Sequence, residues 1–321
     1  MKLVRTLLLV GLSALSTSVL AQSYPTKPVR MIVPYSAGGV SDIMGRVLSQ
    51  KLGDALGQPV VVDNKPGAGG TLGSDLAAKA PPDGYTLLLS SLTTHGIGPN
   101  MIAGVTYDPV KSFTAIGGVA ITPNILTANP NAPFKNLKEL VAYAKANPGK
   151  VTFGSSGVGS IGHLSGEVLR VSTGVDLLHV PYKSAGVAYP DMFSGTLSMV
   201  FDTLPSAIQH IQSGKARPIA VLADKRSPLL PDVPTFAEAG FPEATLRFWI
   251  GLHGPPNMPP AVVQKLNQTL NQVLAAPDLQ ERFTQLGADP YPTSPQQFTE
   301  LVHADADRLA QTLKTAGIQK Q

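Results

Sequence analysis

Two segments of this chain follow one plan: a short apolar strand, a glycine–serine loop, a helical stretch and a second strand. The first runs from Val29 to Pro34, through Tyr35-Ser36-Ala37-Gly38-Gly39-Val40-Ser41-Asp42, to Val60-Val61-Val62. The second runs from Val151-Thr152-Phe153, through Gly154-Ser155-Ser156-Gly157-Val158-Gly159-Ser160, to Leu177-Leu178-His179-Val180. Strands joined through a helix pair in parallel, so each unit demands an α/β layer. In an open sheet such a loop lies at the carboxyl end of a strand and at a helix N-terminus. Free backbone N–H groups and the helix dipole there favour an anion. One loop in each half of the chain predicts two lobes that grip one small anionic ligand between them.

The rest of the pattern alternates strand and helix. Strands are expected over Tyr85–Leu89, Phe113–Val119, Asn124–Thr127, Leu197–Phe201, Pro218–Ala223 and Trp249–His253. A glycine turn, Lys65 to Thr71, leads into a helix through Leu76 and Ala77. Asn136 and Glu139 have capping-box spacing at one helix start, and Ser294-Pro295 with Gln297 at another. Ser41 or Asp42 is the expected cap of the helix carrying Ile43, Val47 and Leu48. The fold class is therefore α/β, with each lobe a parallel-rich sheet flanked by helices. The expected division is residues 22–122 plus 246–321 for one lobe and 123–245 for the other.

Lys2 and Arg5 precede a mostly apolar run from Leu7 to Leu20, and Val19-Leu20-Ala21 suits a cleavage site. This reads as an export signal over residues 1–21, cut after Ala21, with a soluble periplasmic product. The apolar run is too short and too interrupted for a membrane span. The chain has no cysteine, which excludes disulfides, thiolate catalysis and zinc–thiolate sites. Without Lys2 and Arg5 there are 23 basic and 21 acidic residues, and no basic cluster, so nucleic acid is not an expected partner.

Gly157-Val158-Gly159-Ser160-Ile161-Gly162 spells G-x-G-x-x-G, but Asp176 begins the next strand instead of ending it, so the dinucleotide context is missing. No G-x-S-x-G elbow is present, and the six histidines form neither H-E-x-x-H nor a tight cluster with carboxylates. No cofactor, metal or catalytic residue is assigned. The strand ends supply the candidate ligand-binding residues instead. These are Tyr35, Ser36, Gly38, Gly39 and Ser41; then Ser91, Thr94 and His95; then Ser155, Ser156, Gly159 and Ser160; and finally Ser184 and Asp202. Backbone N–H groups and hydroxyls there suit a carboxylate. Asp202 either holds a ligand ammonium or hydroxyl or caps the helix that follows it.

Seven ordered motifs make the chain resemble the substrate-binding proteins of tripartite tricarboxylate transporters, the Bug receptors. They are Tyr24-Pro25-Thr26-Lys27-Pro28-Val29-Arg30; Pro34-Tyr35-Ser36-Ala37-Gly38-Gly39 with Asp42 and Arg46; and Asn64-Lys65-Pro66-Gly67-Ala68-Gly69-Gly70. Pro82-Asp83-Gly84-Tyr85-Thr86-Leu87 and Gly154 to Ser160 with His163-Leu164 follow, then Val180-Pro181-Tyr182-Lys183 and Phe201 to Ala207. Tyr35 stands where Phe is commoner and Ser184 where Gly is commoner, and both changes make the pocket more polar. The resemblance implies a monomeric periplasmic receptor, with no enzymatic activity, that closes over a small carboxylate and delivers it to the permease subunits of a tripartite transporter. Di- or tricarboxylates, aromatic acids and amino acids all suit such a pocket. A ligand sensor that docks a membrane kinase is the alternative, and a carboxylate-processing enzyme using His95 or Asp202 as base is the third reading.

Overall fold

A computed structural model describes residues 24–242, 248–315 and 320. The expected cleavage after Ala21 and the expected second crossing near residue 245 lie outside them. The chain opens with β1 (Val29–Val33), α1 (Val40–Leu56), β2 (Val60–Asn64), α2 (Thr71–Ala78) and β3 (Thr86–Ser91). A π-helical turn over Thr93–Ile97 runs into the short helix α3 (Gly98–Met101), and β4 (Thr114–Thr122) follows. Next come β5 (Asn124–Ala128), α4 (Leu137–Ala146), β6 (Val151–Ser155), α5 (Ile161–Thr173), β7 (Leu177–Pro181) and α6 (Tyr189–Ser194). β8 (Met199–Thr203), α7 (Leu204–Gln212) and β9 (Arg217–Leu222) complete this part. The last elements are β10 (Phe248–Gly254), α8 (Pro260–Leu274), α9 (Pro277–Gln285), β11 (Asp289–Pro290) and α10 (Pro295–Thr315).

These strands form two mixed sheets, in the orders β11-β4-β10-β3-β1-β2 and β7-β6-β8-β5-β9. In the first, β1 runs parallel to β2 and β3, while β10 is antiparallel to both β3 and β4. In the second, β6 is parallel to β7 and β8, and β5 is antiparallel to β8 and β9. The first passage between the sheets, from β4 to β5, takes the single residue Pro123, and Leu204 N–H donates to its carbonyl at 2.9 Å. Among the described residues, no helix is long and apolar enough to cross a membrane.

Local chemistry explains the helix boundaries. At α10, Gln297 N–H donates to Ser294 Oγ (3.1 Å) and Ser294 N–H to Gln297 Oε1 (2.9 Å), a complete capping box. At α4, Glu139 N–H donates to Asn136 Oδ1 at 2.9 Å, while the Glu139 carboxylate reaches back one residue further, to the Lys135 N–H. The expectation for α1 is corrected: the helix starts at Val40 with Gly39 as N-cap, and neither Ser41 nor Asp42 caps it. Asp42 lies inside the first turn. Its carboxylate accepts from the Gly38 N–H (2.9 Å), Arg46 (3.0 Å) and Asn64 (3.0 Å), so it is committed to tying the preceding loop down. Burial opposes its ionisation, but these hydrogen bonds outweigh burial and hold the carboxyl below its usual range.

Glycine makes room where α10 crosses the first sheet. A Cβ on Gly251, in the middle of β10, would lie 1.9 Å from Phe298 Cζ, so the Phe298 ring occupies the space a side chain would need. Trp249, two residues earlier and fully buried, donates its indole N–H to Asp305 at 2.9 Å on the same helix. Gly251→Ala is expected to lower the unfolding free energy by about 1–3 kcal/mol through overpacking. Urea denaturation measures this, and Phe298→Leu in the same chain should recover part of the loss. An unchanged midpoint in the Gly251→Ala protein would refute the packing account.

Candidate functional site

The register sets which strand ends meet. Carboxyl ends of β1 and β3 share an edge with the amino end of β10, since Ile250 is opposite Ser91. In the second sheet the carboxyl ends of β6, β7 and β8 share an edge with the amino end of β5, where Asn124 is opposite Thr203. Because Thr122 and Asn124 flank one residue, the two edges adjoin.

On the first edge, Tyr35 OH lies 3.2 Å from Ser91 Oγ. Burial raises the Tyr35 phenol above its ordinary pKa, so it stays a neutral hydroxyl. Thr94 Oγ1 accepts from Ser91 N–H and donates to Ser91 O, both at 3.0 Å, which folds the strand end into the π-helical turn. Gly70, with φ +93°, lets the chain pass against both: a Cβ there would sit 2.9 Å from Thr94 Cγ2 and 3.1 Å from Tyr35 Cζ. Ser36 and Gly38 are exposed, Gly39 is half-buried and Ser41 is buried. His95 keeps a polar contact with this group, its Nδ1 lying 2.9 Å from Thr94 Oγ1. Its ring is fully buried against His253 (4.3 Å between centroids) and Phe113 (4.6 Å), and burial drives its pKa well below the ordinary value.

On the second edge, Ser160 caps α5 by accepting from His163 N–H at 3.2 Å. Gly159 N–H donates to His163 Nδ1, also at 3.2 Å, so the loop is closed onto the helix it precedes. Ser156 Oγ accepts from Ala185 N–H at 3.2 Å, which joins this loop to the one carrying half-buried Ser184. The structure also holds two serine–histidine contacts that the sequence did not disclose: Ser155 with His179 (2.7 Å) and Ser90 with His253 (2.6 Å). Burial holds both histidines down to about 3, which makes them poor bases near neutrality. Ser155 Oγ is further engaged by the Gly157 N–H (3.1 Å) and carbonyl (3.2 Å). These pairs shape the loop and the core, and neither presents an activated nucleophile.

The two edges touch. A Cβ on Gly69 would lie 3.4 Å from Val158 O, and one on Gly159 would lie 2.7 Å from Ile102 Cδ1. Gly69, Gly70 and Ile102 join the candidate set only through the structure: the glycine turn was visible as a turn, and nothing in the sequence marked Ile102. A separate cavity of about 230 Å³ opens beside the crossing, lined by Pro123, Leu222, Leu229, Phe248 and Gly287 among others. None of the candidate loop residues lines it.

Asp202 is buried, and its Oδ1 accepts from Thr203 N–H at 2.7 Å. The Tyr189 hydroxyl, on α6, faces this carboxyl, and burial together with the Asp202 charge pushes the phenol well above its ordinary pKa. Burial raises the Asp202 carboxyl to about 6. A carboxyl whose pKa is higher folded than unfolded stabilises the fold when protonated, and that stability is lost as pH rises from about 4 through about 6. Asp202→Asn should therefore gain about 2 kcal/mol relative to wild type between pH 4 and pH 7.5. Parallel urea titrations at the two pH values test this, and a constant difference would refute it.

Comparison with known proteins agrees with this architecture. Residues 44–318 match the family described as "Tripartite tricarboxylate transporter family receptor". Protein BugT of Bordetella pertussis is 35% identical over 322 residues, covering 99% of each chain. The solved structure of periplasmic binding protein BugD superposes with a TM-score of 0.85 at 37% identity, covering 93% of this chain and 100% of that one. The R. palustris Rpa4515 structure with adipate has a TM-score of 0.87 at 33% identity, covering 93% and 100%. Two glycine-rich loops facing each other from adjoining sheets are thus set in the fold of two-lobed periplasmic solute-binding proteins, and the chain belongs to the tripartite tricarboxylate transporter receptor family.

Proposed function

We propose that this chain captures a small carboxylate between its lobes and hands it to the permease subunits of a tripartite transporter. The observation that carries the reading is the meeting of the Gly69–Gly70 turn with the Val158–Gly159 loop across adjoining sheet edges. Each edge supplies neutral donors: the Tyr35–Ser91 hydroxyl pair from one, and Ser156 with the amino end of α5 from the other. Such donors hold an anion well once water is excluded. The adipate in a solved relative is a carboxylate of the proposed kind. In this reading residues 22–122 plus 246–321 form one lobe and 123–245 the other. The mature chain acts as a monomer after export and cleavage.

A matching acid should raise the melting temperature, because a ligand confined to the folded state adds about 2.7 kcal/mol at a hundredfold excess over Kd. A panel of adipate, succinate, malate, benzoate and glutamate, applied to protein stripped by refolding, tests this by thermal shift and calorimetry. Gly39 has an ordinary φ of −78°, and a Cβ there would meet only Ser36 O, at an ordinary contact distance of 3.6 Å. Gly39→Val should therefore fold normally yet lose binding. No shift with any carboxylate class, or wild-type affinity in Gly39→Val, would overturn the assignment. The export claim predicts that N-terminal sequencing of periplasmic protein begins at Gln22, and an uncut cytoplasmic chain would refute it.

A further inference from the structure

Ile102 stands where the two sheets' loops come together, although it belongs to neither glycine–serine loop. It ends α3, its N–H donating to Gly98 O at 2.9 Å, and its side chain is half-buried. A Cβ on Gly69 would lie 2.9 Å from Ile102 Cδ1. One on Gly159 would lie 2.7 Å from Cδ1 and 2.8 Å from Cγ1. These separations are well inside van der Waals contact, so the isoleucine branch fills the room that the two glycines leave. Gly69 precedes α2 beside the first sheet, and Gly159 precedes α5 beside the second. Both have positive φ, +61° and +75°, so the backbone also disfavours larger residues there.

We infer that Ile102 is a latch: an apolar knob on one lobe that seats in a glycine socket shared with the other lobe. It is a positioning residue. Its contact with Gly159 exists only when the lobes are together, so the energy of that contact favours the closed form without touching the ligand. A residue that favours the closed form raises affinity by enlarging the binding-competent fraction. It should act on ligand escape more than on ligand arrival, because arrival precedes closure. The effect on affinity rests on the capture reading above, whereas the contact itself does not.

Stopped-flow measurement with adipate as the probe tests the effect. Ile102→Ala should raise the dissociation rate roughly tenfold, with the association rate within about twofold and the unfolding midpoint unchanged. Gly159→Ala should weaken adipate binding strongly in the wild type and much less in the Ile102→Ala background, where the methyl group finds room. Such coupling across two lobes is what a double-mutant cycle isolates. Ligand-free scattering provides the second arm: Ile102→Glu, which places a charge in the socket, should give a larger radius of gyration than wild type. If Ile102→Glu expands the ligand-free molecule but adipate and the rest of the carboxylate panel fail to bind wild type, the capture reading falls and the latch stands. If adipate binds and Ile102→Ala releases it at the wild-type rate, the latch is wrong. Additive effects of the two alanine substitutions, or an unchanged radius in Ile102→Glu, would overturn it as well.

Discussion

Pro123 is the one residue between the last rung of β4 and the first rung of β5, and the rest of the site depends on that brevity. A one-residue crossing leaves no freedom about which ends of the two sheets meet. The carboxyl end of β4 adjoins the amino end of β5, and through the register the carboxyl ends of β1, β3, β6 and β8 are carried to the same place. Loops at such ends run into helix N-termini, so both sides of the junction present unpaired N–H groups. Proline suits the position because its nitrogen has no hydrogen to satisfy, while its carbonyl is bonded by Leu204.

Most titratable side chains beside the loops are paired or held neutral. The nearest acid of the first loop, Asp42, is consumed by Gly38, Arg46 and Asn64, and the histidines beside both loops are held neutral by burial. What remains, apart from the buried Asp202 carboxyl at the end of β8, is a set of hydroxyls and backbone donors. Such a set discriminates by geometry and by the cost of leaving a buried donor unmatched, and it carries no permanent charge of its own. Asn124, opposite Thr203 on β5 and β8, adds a buried side-chain amide without hydrogen-bond partners among the described residues at the same junction.

Much of this was legible in the residues. The two strand–loop–helix units were recoverable because their apolar runs, glycines and caps are local signals, and the capping box at Ser294 held in full. The α1 start departs from the local signal because Asp42 has the chemistry of a cap but is recruited by Asn64, a residue distant in sequence whose approach depends on β1–β2 pairing. His95 looked like a site residue because it follows a strand end. A π-helical turn packs its ring against Phe113 and His253 while its Nδ1 stays 2.9 Å from Thr94 Oγ1, and no local pattern announces such a turn. Ile102 carried no signal at all, since its importance comes from two glycines in separate loops that only tertiary folding brings to it.

The placement of β10 has a consequence for the order of assembly. This strand lies between β3 and β4 and is locked there by Phe298 over Gly251, yet it follows the whole second sheet in the chain. The first sheet therefore cannot unite β3 with β4 until residues beyond 248 have emerged, whereas every strand of the second sheet is present once residue 222 is out. Chains fold in units as they emerge. The inserted unit is able to set first, and the unit that contributes the opening motif waits, half-made, for the chain's return.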